Sequence, residues 1–118
     1  LTLLHVAIIR IKRNNKFGEI KIEEIIKGMT ALIERGLDVN SQCGCERTPL
    51  HLASELDDEA IVKFLLERGA NINLTDDCRR NALHYAFRNY KVNTRIVKLL
   101  IDKGIDTKAK DKNGRTAL

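Results

Sequence analysis

Apolar residues fall in short helical stripes separated by polar turns. Ile22, Ile25, Ile26, Met29, Leu32 and Ile33 share one face of a helix, and Ile61, Val62, Leu65 and Leu66 repeat an i, i+1, i+4, i+5 pattern. Ile96, Val97, Leu99, Leu100 and Ile101 form a third stripe. A glycine closes each one: Gly36, Gly69 and Gly104, where a left-handed C′ residue favours a side chain without Cβ. Upstream of each stripe a shorter helix is predicted to start at a cap-competent residue. Thr48 can accept a hydrogen bond from the first turn, and Pro49 follows where its missing N–H costs nothing. That helix runs to about Glu55, and Thr2, Asn81 and Thr116 hold the equivalent place. No single stripe is large enough to fold alone. Burying a large aliphatic side chain contributes roughly 1.5–3 kcal/mol, whereas ordering one residue's backbone costs about 1–2 kcal/mol. Stability must come from stacking one helix pair on the next.

The caps belong to a motif that recurs in altered copies. Thr48-Pro49-Leu50-His51-Leu52-Ala53 returns as Asn81-Ala82-Leu83-His84-Tyr85-Ala86, and Thr2-Leu3-Leu4-His5-Val6-Ala7 precedes both. Thr116-Ala117-Leu118 starts another. The offset is 33 residues from Thr48 to Asn81 and 35 from Asn81 to Thr116, but 46 from Thr2 to Thr48. A second marker keeps step: Glu34-Arg35-Gly36-Leu37-Asp38-Val39-Asn40, then Glu67-Arg68-Gly69-Ala70-Asn71-Ile72-Asn73, then Asp102-Lys103-Gly104-Ile105-Asp106. Such a period means stacked units with one continuous core.

These residues resemble the ankyrin repeat family. The resemblance implies an all-α solenoid of stacked helix–turn–helix units with β-hairpin loops. The units span about 2–47, with an insertion near 10–22, then 48–80 and 81–115, and 116–118 open a further one. Lacking an initial Met and stopping inside a motif, the chain reads as part of a longer array. Lys110-Asp111-Lys112-Asn113-Gly114-Arg115 matches the family's loop, with Asp and Gly in their usual places. Elsewhere the Gly position holds Glu46 or Arg79, and the Asp position holds Cys43 or Asp76. The loops at Glu46 and Arg79 are therefore expected to deviate in shape.

Composition narrows the chemistry. With three Phe, two Tyr and no Trp in 118 residues, the core must be aliphatic. The longest apolar runs are a few residues, far below the ~20 of a membrane-crossing helix. An odd count of three cysteines fits a reducing compartment, cytoplasmic or nuclear. Cys45 and Cys78 hold the same loop position in adjacent units. Helix layers stack at about 8–10 Å, beyond the ~7 Å Cα limit of a disulfide. Zinc would need a fourth ligand at a familiar spacing. The expectation is exposed free thiols, no metal and no cofactor.

Net charge is +5, but it is the remainder of opposed patches. Residues 10–21 carry Arg10, Lys12, Arg13, Lys16 and Lys21 against Glu19, while residues 46–77 are acidic and the chain from Arg88 onward is basic. Nucleic acid is disfavoured by this mixture and by the scarcity of stacking aromatics. Two readings of the basic insertion stand level: it leans on the acidic turn Glu55, Asp57, Asp58 and Glu59 of the next unit, or it is a solvated loop. Exposed pairs of this kind contribute only about 0–1 kcal/mol each.

No His-Glu-x-x-His, phosphate-binding glycine loop or nucleophile elbow is present. His5, His51 and His84 share one motif position, which the resemblance makes structural. It implies no catalytic residue and no small-molecule substrate, but a partner protein bound in the concave groove. Carried over by position, the contacts are Ile8, Cys45, Arg47, Ser54, Glu55, Asp77, Cys78, Arg80, Phe87, Arg88, Lys112, Asn113 and Arg115. Phe87 and the arginines are the expected anchors. Leu32 and Asp38 ahead of Asn40 look like the substrate pattern of an asparaginyl hydroxylase that modifies such repeats, although a structural role for Asn40 is favoured. The alternatives are the substrate-recognition arm of a larger enzyme, a ubiquitin-ligase adaptor, a host-targeting effector and a spacer in a membrane-associated array.

Overall fold

The computed structural model describes residues 22–55, 58–88 and 92–117. Five helices lie within them: α1 (Ile22–Glu34), α2 (Pro49–Glu55), α3 (Glu59–Glu67), α4 (Ala82–Arg88) and α5 (Thr94–Asp102). No strand occurs among the described residues. The first motif copy, with His5 and Ile8, lies outside them. So do the basic insertion and Asp57, and with them both readings of that insertion.

Helix starts follow the anticipated chemistry. Thr48 Oγ1 accepts from the His51 backbone N–H at 3.2 Å, and Asn81 Oδ1 accepts from that of His84 at 3.2 Å. Asp58 caps α3 by accepting from Ala60 N–H at 2.9 Å, and Asn93 caps α5 by accepting from Arg95 N–H at 3.0 Å. The ends are equally regular. Gly69 at φ 91° lets its own N–H reach Leu66 O and lets Ala70 N–H reach Leu65 O, a Schellman closure repeated at Gly36 and Gly104.

Like packs on like. The short helix α2 lies on α4, while the longer helices stack α1 on α3 and α3 on α5. One core runs through the layers, with Met29, Leu50, Ile61, Val62, Leu65, Leu83, Ile96 and Leu100 buried. Phe64, absent from the anticipated stripe, is also buried, while Ile101 turns outward at 44 % exposure. Ile101 sits one residue beyond Leu100, about 100° further round the helix, so it misses the inward face.

Side-chain clamps join consecutive units. Asn40 Oδ1 accepts from Asn71 N–H at 2.7 Å, and its amide donates to Gly69 O at 3.4 Å. One unit later, Asn73 Oδ1 accepts from Asp106 N–H at 3.1 Å.

Candidate protein-binding face

Three loops, opening at Cys43, Asp76 and Asp111, stand side by side along the edge of the stack. Each closes with the same pair of backbone bonds. Cys43, Asp76 and Asp111 donate N–H to the carbonyls of Arg47, Arg80 and Arg115, while Glu46, Arg79 and Gly114 donate back to the first residue. The expected deviation at Glu46 and Arg79 does not occur. Both adopt left-handed backbone, φ 58° and 60°, beside Gly114 at 75°. Bonds between tips hold the row together: Asp77 N–H to Cys45 O at 3.1 Å and Lys112 N–H to Cys78 O at 2.8 Å. A distorted tip would lose these bonds, so neighbouring loops enforce the shape that the side chains disfavour.

Within each loop one acceptor organises the turn. Asp76 Oδ1 accepts from the N–H groups of Cys78 and Arg80, both at 2.9 Å, and Oδ2 accepts from Arg80 Nε at 2.9 Å and Tyr85 Oη at 2.6 Å. Burial alone would raise the Asp76 pKa. The Tyr85 hydroxyl, the two N–H groups and the Arg80 guanidinium outweigh it and hold the carboxyl below its usual range. Burial, followed by Asp76 itself, pushes the Tyr85 phenol up. Asp111 repeats the scheme with Asn113, Arg115 N–H and Arg115 Nε. In the first loop the sulfur of Cys43 takes the carboxylate's place. Its burial is likewise outweighed by the N–H groups of Cys45 and Arg47 and by the Arg47 side chain, so this thiol lies below its ordinary pKa.

The histidines tie each short helix to the loops that end the same unit. His51 Nδ1 accepts from Thr48 N–H at 2.9 Å, which leaves the proton on Nε2 facing the carbonyls of Leu74 and Arg80 at 3.0 and 3.1 Å. His84 accepts from Asn81 N–H and turns Nε2 to Arg115 O at 3.1 Å. Burial lowers the His51 pKa, favouring this neutral form.

Of the anticipated contacts, Cys45, Asp77, Arg88, Lys112, Asn113 and Arg115 are exposed, while Arg47, Glu55, Cys78, Arg80 and Phe87 are half-buried. Ser54 is buried, its hydroxyl donating to Leu50 O at 2.7 Å, and it presents nothing to a partner. The thiols were expected on the surface. All three are free, yet Cys43 and Cys78 are half-buried and only Cys45 is exposed. Ligand atoms of Asp76, Asp77 and Cys78 lie within 4.8 Å of one another. However, all four acceptor positions of Asp76 are occupied by the bonds just described, so the group works as a loop staple.

Arg80, Phe87, Arg88 and Arg115 line one cleft of roughly 300 Å³, together with His84 and Asp111. Sequence reasoning missed the residue beneath it. Tyr85 is fully buried, with the guanidinium carbons of Arg80 and Arg88 at 5.4 and 5.2 Å from its ring centre. The only signal was a Tyr where the preceding motif has Leu52.

The ankyrin repeats family matches this chain twice, as "many copies" over residues 32–86 and as "3 copies" over residues 68–118. The chain belongs to the ankyrin repeat family. Among solved structures it is similar to the ankyrin repeat domain of Bcl-3, described as a unique member of the IkappaB protein family. The TM-score is 0.77 at 28% identity, covering 99% of this chain and 45% of that one. The present ankyrin repeats thus span less than half the length of that relative. No curated protein sequence matches the chain. Ankyrin repeats generally mediate protein–protein interaction. None of the described helices is long and apolar enough to cross a membrane.

Proposed function

We propose that this ankyrin domain binds a partner protein through the groove formed by its loop tips and the exposed edges of α2 and α4. The observation that carries this reading is the bonded row of tips, Cys45 to Asp77 and Cys78 to Lys112. A rigid edge of this kind binds without paying the ordering entropy that a mobile loop would. Exposed polar tips beside half-buried Phe87 and Arg80 provide a polar rim around potential anchors. Three free thiols support a reducing compartment. Membership in a larger recognition protein is compatible with the same surface. Cross-linking from a photoreactive group at Lys112, compared with one at Lys98 on α5, tests the reading. Specific partner adducts are expected from Lys112, and adducts confined to Lys98 would reject it.

At Asn40 the hydroxylation expectation concerns a side chain whose carbonyl and amide both hold the next unit. Intact-mass measurement on native protein, seeking one added oxygen atom, decides it.

A further inference from the structure

We infer that the Arg80–Arg115 end of the groove receives an acidic segment of the partner, an inference that rests on the groove reading above. Arg47, Arg80 and Arg115 occupy the same position in successive loops, and Arg80 and Arg115 line one cleft. The adjoining position at the end of the short helix changes sign, from Glu55 in α2 to Arg88 in α4. One end of the groove is therefore basic.

These arginines are also held in place. Arg80 is fixed through Nε to Asp76 and lies over Tyr85, with Arg88 over the same ring. A guanidinium has five N–H donors, so the Nε bond leaves the terminal amino groups to approach a carboxylate in parallel. Arg115 is tied more loosely, Nε to Asp111 at 3.3 Å, with 72 % of its side chain exposed. Asp76 and Asp111 each pair with one arginine Nε and Asp77 is exposed at the neighbouring tip, so the surplus positive charge of this end comes from Arg88 and Lys112. Asp76 is buried with its acceptor positions used, and Asp111 is turned into its own loop against Arg115. Phe87 adds an apolar wall to the cleft. The chemistry that fits is a run of Asp or Glu carrying a hydrophobic residue. A single-stranded nucleic acid fits less well, because Phe87 and the buried His84 are the only rings lining the cleft, too few for a run of stacked bases.

Panning a random peptide phage library on the intact chain tests this. Enriched peptides are expected to be rich in Asp and Glu. A synthetic copy of the best one should lose roughly tenfold or more in affinity with Arg88→Glu/Arg115→Glu and weaken as salt rises. Lys98→Glu should leave it unchanged, and circular dichroism melts of each variant confirm folding. Enriched peptides without acidic bias, or no enrichment at all, overturn the inference. Non-acidic peptides that are nevertheless lost with Phe87→Ala would leave the groove reading standing. Acidic peptides that respond to Lys98→Glu alone would remove both. Tighter binding of a single-stranded oligonucleotide at the same arginines would reassign the surface to nucleic acid.

Discussion

The Tyr85 hydroxyl donates to Asp76 Oδ2 at 2.6 Å, tying the base of a surface loop to the fully buried ring of α4. The His51 ring, from the preceding unit, packs 4.8 Å from the same tyrosine. One phenol thus touches two units and their connecting loop. Tyr85→Phe keeps the packing but withdraws a donor from a buried carboxylate. The expected loss is about 1–3 kcal/mol, read from urea midpoints. An unchanged midpoint would show that water or Arg80 replaces the bond.

Acid should weaken the stack in two steps. His51 is held neutral below its ordinary 6.5, so the unfolded chain binds a proton first. Stability is then lost as pH falls from the unfolded value through the folded one. Asp76 is depressed too, so its contribution is complete above the unfolded carboxylate pKa and disappears as pH drops through the folded one. Urea midpoints between neutral and strongly acid pH should fall first across the histidine range and again across the carboxylate range. Asp76→Asn should lower stability at neutral pH and flatten the second limb.

Glu46 and Arg79 adopt backbone angles that suit glycine. A side chain in the left-handed region costs roughly 1–2 kcal/mol, partly offset because glycine gives the unfolded chain about 0.4–1 kcal/mol more freedom to lose. Arg79→Gly should therefore stabilise by about 0.5–1 kcal/mol, and Gly114→Ala should destabilise by a similar amount. Thermal melts of the two variants, moving in opposite directions, are the check.

Leu65 is fully buried in α3, the helix that packs against both α1 and α5. Leu65→Ala should cost about 2–5 kcal/mol. If unfolding followed separately near α1 and near α5 by hydrogen exchange shows loss on one side only, the core is not shared between layers.

Most of the architecture could be read along the chain because every unit repeats the same local instructions. Thr48 and Asn81 as caps, Gly69 as terminator and the stripe around Leu65 each act over a few residues, so their physics is visible in order. The positions of the candidate contacts followed from the same register. Whether each reaches solvent did not, and Ser54 shows why. It lies in α2, which packs against both α3 and α4, an arrangement that no local pattern encodes.

What the amino-acid order determined by itself is the repeat: where helices start, where glycine stops them, and which apolar faces must stack. Tertiary structure alone decided how the loops behave. Glu46 and Arg79 hold a glycine-like shape because adjacent tips bond to one another, and Cys43 stands in for a carboxylate because the same N–H groups converge on it. Asp76, Tyr85 and the arginines above them meet only once separate units close together. Local propensity acts through the chain, whereas these contacts join residues whose neighbourhood exists only in the folded stack.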